Sequence, residues 1–138
     1  MTRRANHAHS LLLVEDSDDE RESLAMLLEL AGYRVVGARR ALPALHLMLT
    51  LGLRPCTVVA DIIMPGMDGV TLRAEMKKYP KLACIPTVAL TGHEGLRRHA
   101  VDNGFAAGLL KPCEFDELFR LIDQLCCSRA ALHAAKRM

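Results

Sequence analysis

Cys56-Thr57-Val58-Val59-Ala60-Asp61-Ile62-Ile63-Met64-Pro65-Gly66-Met67-Asp68-Gly69 is the stretch that decides the fold. Cys56–Ala60 is β-branched, wholly apolar and of strand length. Asp61 closes it, and Met64-Pro65-Gly66 reads as a loop. A helix is expected over Asp68–Tyr79, because Pro80 cannot continue it. An acid directly after a buried strand is costly unless it is solvated or paired. Asp61 is therefore a candidate functional residue rather than an ordinary turn residue.

Working outward, the same unit recurs. Leu11–Val14 reads as a strand, followed by Glu15 and Asp16. Ser17-Asp18-Asp19-Glu20 matches a capping box, and Leu24, Leu27, Leu28 and Ala31 follow at helical spacing up to Gly32. Tyr33–Gly37 is a second strand, and Leu42–Leu51 a helix that is apolar nearly all round. Cys84–Leu90 is a fourth strand, with Pro86 near its start and Thr91 after it. Glu94–Asp102 is a short helix, and Phe105–Leu110 a fifth strand ending at Lys111. Phe115, Leu118, Phe119, Ile122, Leu125 and Cys126 mark an amphipathic last helix. Continuous apolar strands separated by crossover helices imply a parallel sheet covered on both faces. With right-handed crossovers the expected class is α/β, a doubly wound three-layer sandwich with a central five-stranded sheet.

A chain of 138 residues, 51% hydrophobic and 25% charged, fits one domain with a real core. Residues 1–10 and 128–138 are expected to be flexible or fraying extensions, the second a basic tail, around a domain at 11–127. All 16 acids lie between Glu15 and Asp123, whereas Arg3, Arg4, Arg129, Lys136 and Arg137 lie near the termini. A mildly acidic body with basic ends does not suggest direct nucleic-acid binding. Five cysteines without a Cys-x-x-Cys pair read as small buried hydrophobes in a reducing cytoplasm, not as a disulfide or zinc framework. No apolar stretch reaches the ~18 residues of a membrane helix, and residues 1–10 lack a signal-peptide core.

Alternating strands and helices bring Glu15, Asp16, Asp61, Thr91 and Lys111 to one sheet edge. Ligands bind at that edge in open parallel sheets. Three gathered carboxylates repel one another unless a cation neutralises them, and an all-oxygen donor set selects Mg²⁺ or Mn²⁺. A carboxylate can act as a nucleophile toward phosphorus. Taken singly, Glu15 and Asp16 are better read as first-turn acids, and Lys111 could snorkel from the sheet edge, although the following Pro112 and the register favour a functional role. Their joint placement favours a phosphate and hard-cation site. His46, His93 and His99 read as packed or surface residues rather than ligands.

Four motifs, in order, resemble the receiver domain of bacterial response regulators: Leu11–Asp16, Asp61–Gly69, Ala89-Leu90-Thr91-Gly92 and Lys111-Pro112. The resemblance covers about residues 10–127 and implies the flavodoxin-like strand order 2-1-3-4-5. It implies that Asp61 is the phosphoacceptor, supplied by a sensor histidine kinase or a histidine phosphotransfer protein. Glu15, Asp16, Asp61 and the backbone carbonyl of Ile63 would hold Mg²⁺. Thr91 would bond a phosphoryl oxygen, Lys111 would pair with the phosphoryl group or with Asp61, and Gly92 would leave room beside Thr91. Pro112 would form a cis-type turn, and Ile63 and His93 would flank the path of attacking water. In the family an aromatic residue usually stands three places before the lysine; here that place is Gly108, which puts the usual switch in doubt.

The resemblance implies a cytoplasmic phosphorelay protein that is not an enzyme beyond its own phosphorylation and dephosphorylation. It would signal to a protein target not named by the sequence, and it leaves a homodimer open. Two alternatives stand beside this reading. Gly108 favours a non-switching interaction module of the same fold, and the chain could equally be the receiver portion of a larger protein. An aspartyl-phosphate phosphatase commonly needs a second acid two residues after the nucleophile, where this chain has Ile63.

Overall fold

Five short apolar runs pair side by side as β1 (Ser10–Val14), β2 (Arg34–Ala38), β3 (Thr57–Asp61), β4 (Thr87–Thr91) and β5 (Ala107–Leu110). All pairings are parallel, in the order β2-β1-β3-β4-β5, as expected. The structure, a computed structural model, describes the backbone of residues 9–137 and the side chains of residues 9–126. The extension expected at 1–10 thus lies, apart from His9 and Ser10, outside the described residues, as does Met138.

The helices are α1 (Asp18–Leu30), α2 (Ala41–Leu49), α3 (Gly69–Lys77), α4 (Pro80–Ala83), α5 (Glu94–Asp102) and α6 (Phe115–Arg137). Side chains alternate across each strand, so both faces of the central strands are covered. Leu12 and Val14 of β1 and Val58 and Ala60 of β3 pack against Ala44, Leu45 and Met48 of α2 and Leu72 and Met76 of α3. Leu11 and Leu13 face the other way, with Val59 and Val88, onto Leu28 of α1 and Leu118 and Ile122 of α6. Phe105, Ile62, Ala89 and Ala100 close a smaller cluster beside α5. Each fully buried leucine contributes about 1.5–3 kcal/mol relative to exposure. The sheet is thereby a rigid platform for the groups at its edge.

Local chemistry sets the boundaries. Ser17 caps α1, its Oγ accepting from the Glu20 N–H at 3.3 Å. Asp68 caps α3 by accepting from the Thr71 N–H at 2.7 Å. The helix expected to reach Tyr79 ends at Lys77, and Pro80 instead opens α4, where its missing N–H costs nothing. That short helix holds the Ile85 N–H on Leu82 O at 3.1 Å, so β4 begins at Thr87 rather than at Cys84. The face of α2, ill-defined in sequence, is the one carrying Ala41, Ala44, Leu45 and Met48, while Leu42 and Leu49 are exposed. The last helix continues through the stretch expected as a fraying tail, to Arg137. Cys84 is exposed rather than buried, because it lies at the end of α4 and not in a strand. Among the described residues, no helix is long and apolar enough to cross a membrane.

Candidate active site at the carboxyl edge of the sheet

Register alone brings the predicted groups together. Val14 pairs with Ala60, so Glu15 leaves β1 beside Asp61, the last residue of β3. Asp61 pairs with Leu90 and Thr91 with Leu110, which places Thr91 and Lys111 on the same edge. The Lys111 N–H donates to Thr91 O at 2.8 Å and so ties the two strand ends.

Carboxylate oxygens of Glu15, Asp16 and Asp61 lie within 4.8 Å of one another. Glu15 is buried, Asp61 half-buried and Asp16 exposed, so the cluster opens to solvent on one side. Lys111 Nζ donates to Glu15 Oε1 at 2.9 Å, to Glu20 Oε1 at 3.0 Å and to Asp61 Oδ2 at 3.3 Å. Burial raises the Glu15 carboxyl above its ordinary range; the bonds from Lys111 and from the Ser17 N–H offset this only in part. Burial alone would lower the Lys111 ammonium, but its bonds to Glu15 and Glu20 and the Asp61 charge raise it. Lys111 is therefore a permanent cation over an acidic cluster. The donor set is three hard oxygens with no imidazole or thiolate among them, which fits Mg²⁺ or Mn²⁺.

The remaining predicted residues surround this centre. Thr91 is buried and its Oγ1 accepts from the His93 N–H at 3.3 Å; His93 is exposed at the N-cap of α5. Ile63 is 55% exposed, and its N–H donates to Asp61 Oδ1 at 3.3 Å. A Cβ at Gly92 would meet nothing within 4 Å. The Lys111–Pro112 peptide bond is cis.

Gly108 lies on β5 under the side chain of Arg97. A Cβ there would stand 2.7 Å from Arg97 Cγ, and Arg97 Nη1 donates to Gly108 O at 3.4 Å. Arg97 is in turn held by two bonds to Glu94, at 2.8 and 2.5 Å. The space beside Gly108, which stands where the resembled family usually carries an aromatic residue, is thus occupied by the Arg97 stem, next to an open groove of about 390 Å³.

Two residues were not singled out from the sequence. Glu20 reads as the partner half of a capping box, but its carboxylate goes to Lys111, and the Ser17 N–H turns to Glu15 Oε2 at 3.1 Å. Arg21 donates to Glu15 O at 2.8 Å and to Asp18 Oδ1 at 2.5 Å, lying over Gly37, where a Cβ would be 3.1 Å from Arg21 Cδ. Gly37 inside a strand was the available signal for that close approach.

Gly69 has the sharpest steric requirement at the edge. A Cβ there would lie 2.7 Å from Asp61 O and 3.1 Å from Ile62 Cα, both backbone atoms. The Gly69 N–H also donates to Ile62 O at 2.9 Å, so the start of α3 is locked against the end of β3. Gly69→Ala is expected to lower stability by about 2–3 kcal/mol, near the upper end of overpacking effects. Urea unfolding measures this, and a loss below about 0.5 kcal/mol, the range of neutral surface changes, contradicts it.

Comparison with known proteins gives the same picture. The sequence matches the response regulator receiver domain family over residues 11–123. An uncharacterized 14.6 kDa protein of Leptolyngbya boryana is 37% identical over 118 residues, covering 84% of this chain and 88% of that one. The signal receiver domain of a Syntrophus aciditrophicus signal transduction histidine kinase superposes with a TM-score of 0.79 at 29% identity, covering 88% of this chain and 92% of that one. The receiver domain of a Pseudomonas aeruginosa sensor histidine kinase, solved with a magnesium ion coordinated in its active-site cleft, gives a TM-score of 0.79 at 25% identity. That match covers 86% of this chain and 98% of that one. Strand order, the acids at the strand ends and a family match spanning most of the chain converge on one assignment: it belongs to the response regulator receiver domains of two-component systems.

Proposed function

We propose that this receiver accepts a phosphoryl group on Asp61 from a phosphohistidine of a sensor histidine kinase or histidine phosphotransfer protein, and signals through changed binding to a protein target. The observation that carries this reading is the placement of Asp61 at the end of β3, within 4.8 Å of the Glu15 and Asp16 oxygens and 3.3 Å from Lys111. Glu15, Asp16, Asp61 and the Ile63 carbonyl are the groups that would hold Mg²⁺ or Mn²⁺. When bound, the ion supplies positive charge against the phosphoryl oxygens.

The work of the side chains follows from their chemistry. An Asp61 oxygen attacks phosphorus; the P–N bond to the donor imidazole breaks, and its electron pair leaves with the imidazole, which takes up a proton. Lys111 shifts from Asp61 to a phosphoryl oxygen while keeping Glu15 and Glu20. The Thr91 hydroxyl, now an acceptor from His93, rotates to donate to the new oxygens, and Gly92 leaves the space they need. Phosphorylation adds about −1.5 to −2 charge at this edge. Because residue 108 carries no ring, the change passes through Thr91 and the start of α5, where Arg97 lies over β5. With a phosphohistidine donor the function would be a cytoplasmic signalling step rather than an enzyme activity on small substrates.

The test is direct. Acetyl phosphate with Mg²⁺ is expected to shift the band of the wild-type protein on a phosphate-affinity gel, and EDTA to prevent it. Absence of any shifted band in folded protein overturns the reading.

Ile63 sets a kinetic expectation. Its aliphatic side chain offers no hydrogen bond to a water attacking the acyl phosphate. A neutral hydrogen bond is worth about 1 kcal/mol, so Ile63→Asn is expected to shorten the phosphoryl lifetime about fivefold. Release of inorganic phosphate from the labelled protein reports it; an unchanged or longer lifetime counts against this role.

A further inference from the structure

The opposite edge of the sheet carries a second constellation that phosphoryl transfer does not use. His9 precedes β1, Cys56 precedes β3, and Cys126 lies on α6 with its sulfur 3.4 Å from the hydroxyl of Thr57, the first residue of β3. We propose that His9 Nδ1, Cys56 Sγ and Cys126 Sγ form a zinc site that ties β1, β3 and α6 together at the end of the sheet remote from Asp61.

Geometry is the first support. One ligand atom from each residue lies within 4.8 Å of the other two, and His9 Nδ1 stands 3.1 Å from Cys56 Sγ. Zinc bonds thiolate sulfur at about 2.3 Å and imidazole nitrogen at about 2.0–2.1 Å, so tetrahedral ligand pairs stand about 3.3–3.8 Å apart. The three ligand atoms, all within 4.8 Å of one another, thus lie near that spacing. The backbones are already fixed: the Arg34 N–H donates to His9 O at 2.9 Å, and the Cys56 N–H to Ser10 O at 2.7 Å.

Chemistry selects the ion. Imidazole and thiolate donors favour Zn²⁺ over the hard cations of the acidic edge. His9 and Cys126 are buried, at 8% and 1% exposure, and a buried site is tolerated when its charges cancel. Two thiolates, a neutral imidazole and one divalent ion sum to zero; a monovalent copper ion would leave a net negative charge. The Thr57 hydroxyl lies 3.4 Å from Cys126 Sγ, placed to donate to the sulfur once it is a thiolate. Three protein ligands leave a fourth position for water.

The ligands come from three separate elements, so no Cys-x-x-Cys spacing announces them, and the sequence was read as holding no zinc site. The test uses the whole chain, reduced with a phosphine, stripped with chelator and titrated with Co²⁺. A thiolate-to-cobalt charge-transfer band saturating at one equivalent, and bleached by Zn²⁺ but not by Mg²⁺, is expected. Cys56→Ser and His9→Ala are each expected to weaken binding about a hundredfold or more, and Cys84→Ser to leave it unchanged. Circular dichroism checks that each variant is folded. A second measurement needs no variant: Zn²⁺ is expected to slow alkylation of Cys56 at least about tenfold in the wild-type protein, read by mass spectrometry. No charge-transfer band in folded wild type, a band that survives in Cys56→Ser, or alkylation indifferent to Zn²⁺ overturns the proposal.

Discussion

Asp61→Asn is expected to abolish Mg²⁺-dependent phosphorylation, a loss of more than about a thousandfold, because an amide cannot supply the attacking oxygen. The substitution isolates that chemistry with little collateral change. Asparagine has the size and shape of aspartate, and β3 is held by Thr57, Val58, Val59 and Ala60, all essentially buried. Lys111 keeps its two shorter contacts, to Glu15 and Glu20. Removing one of three clustered negative charges also relieves Glu15, on which Asp61 exerts a raising influence. Without Mg²⁺ the variant is therefore expected to be as stable as wild type to within about 1 kcal/mol. The stabilisation added by Mg²⁺ should fall, since one donor has lost its charge. Gel shift, thermal melts with and without Mg²⁺, and mapping of the labelled peptide read these together. Persistent labelling of Asp61→Asn, at Asp16 for example, would falsify the assignment of Asp61 as acceptor.

What could be read from the chain, and what could not, divides along a physical line. The central strands were legible because a parallel sheet buried on both faces demands unbroken apolar runs, and Leu11–Val14 and Val58–Ala60 supply them. The strand-end position of Glu15, Asp61, Thr91 and Lys111 followed from alternation alone. Side-chain partnerships did not. Glu20 reads in sequence as the acid of a capping box, and only the folded approach of Lys111 reveals its ion pair. Arg97 over Gly108 is the same kind of fact: the missing ring was visible, but the side chain that fills its place comes from a helix eleven residues earlier. The helix α4 is too short for a periodic signal. The run Ala130–Ala135, by contrast, has high intrinsic helix propensity, in keeping with the course of α6 to Arg137.

Lys111→Met is expected to be the most destabilising change among the charged groups of the site, because this one ammonium serves three carboxylates. Methionine retains much of the aliphatic stem, so the difference measures charge rather than packing. Breaking a buried ion pair by removing one partner costs about 3–5 kcal/mol; Lys111 is 29% exposed, which puts the expected loss nearer 2–3 kcal/mol. Most of it belongs to Glu15, whose side chain is 8% exposed and which would remain beside Asp61 with its principal cation gone. Its carboxyl, already raised by burial, then rises further in the folded state. The folded protein therefore holds that proton more tightly than the unfolded chain does. The Glu15 contribution to the variant's stability in chelator is expected to be fully present below the unfolded carboxyl value of about 4.3, and to be lost as pH rises through the higher folded value. Wild type, with Lys111 in place, should show a shallower decline over the same window. Mg²⁺ offers a substitute cation to the same oxygens, so it should stabilise Lys111→Met more than wild type, while phosphorylation still fails for want of a charge to meet the incoming phosphoryl group. Urea unfolding across this pH range, with and without Mg²⁺, separates the effects. A variant whose stability matches wild type at neutral pH in chelator would mean that Glu15 has found another partner, and that Lys111 is a bystander at this edge.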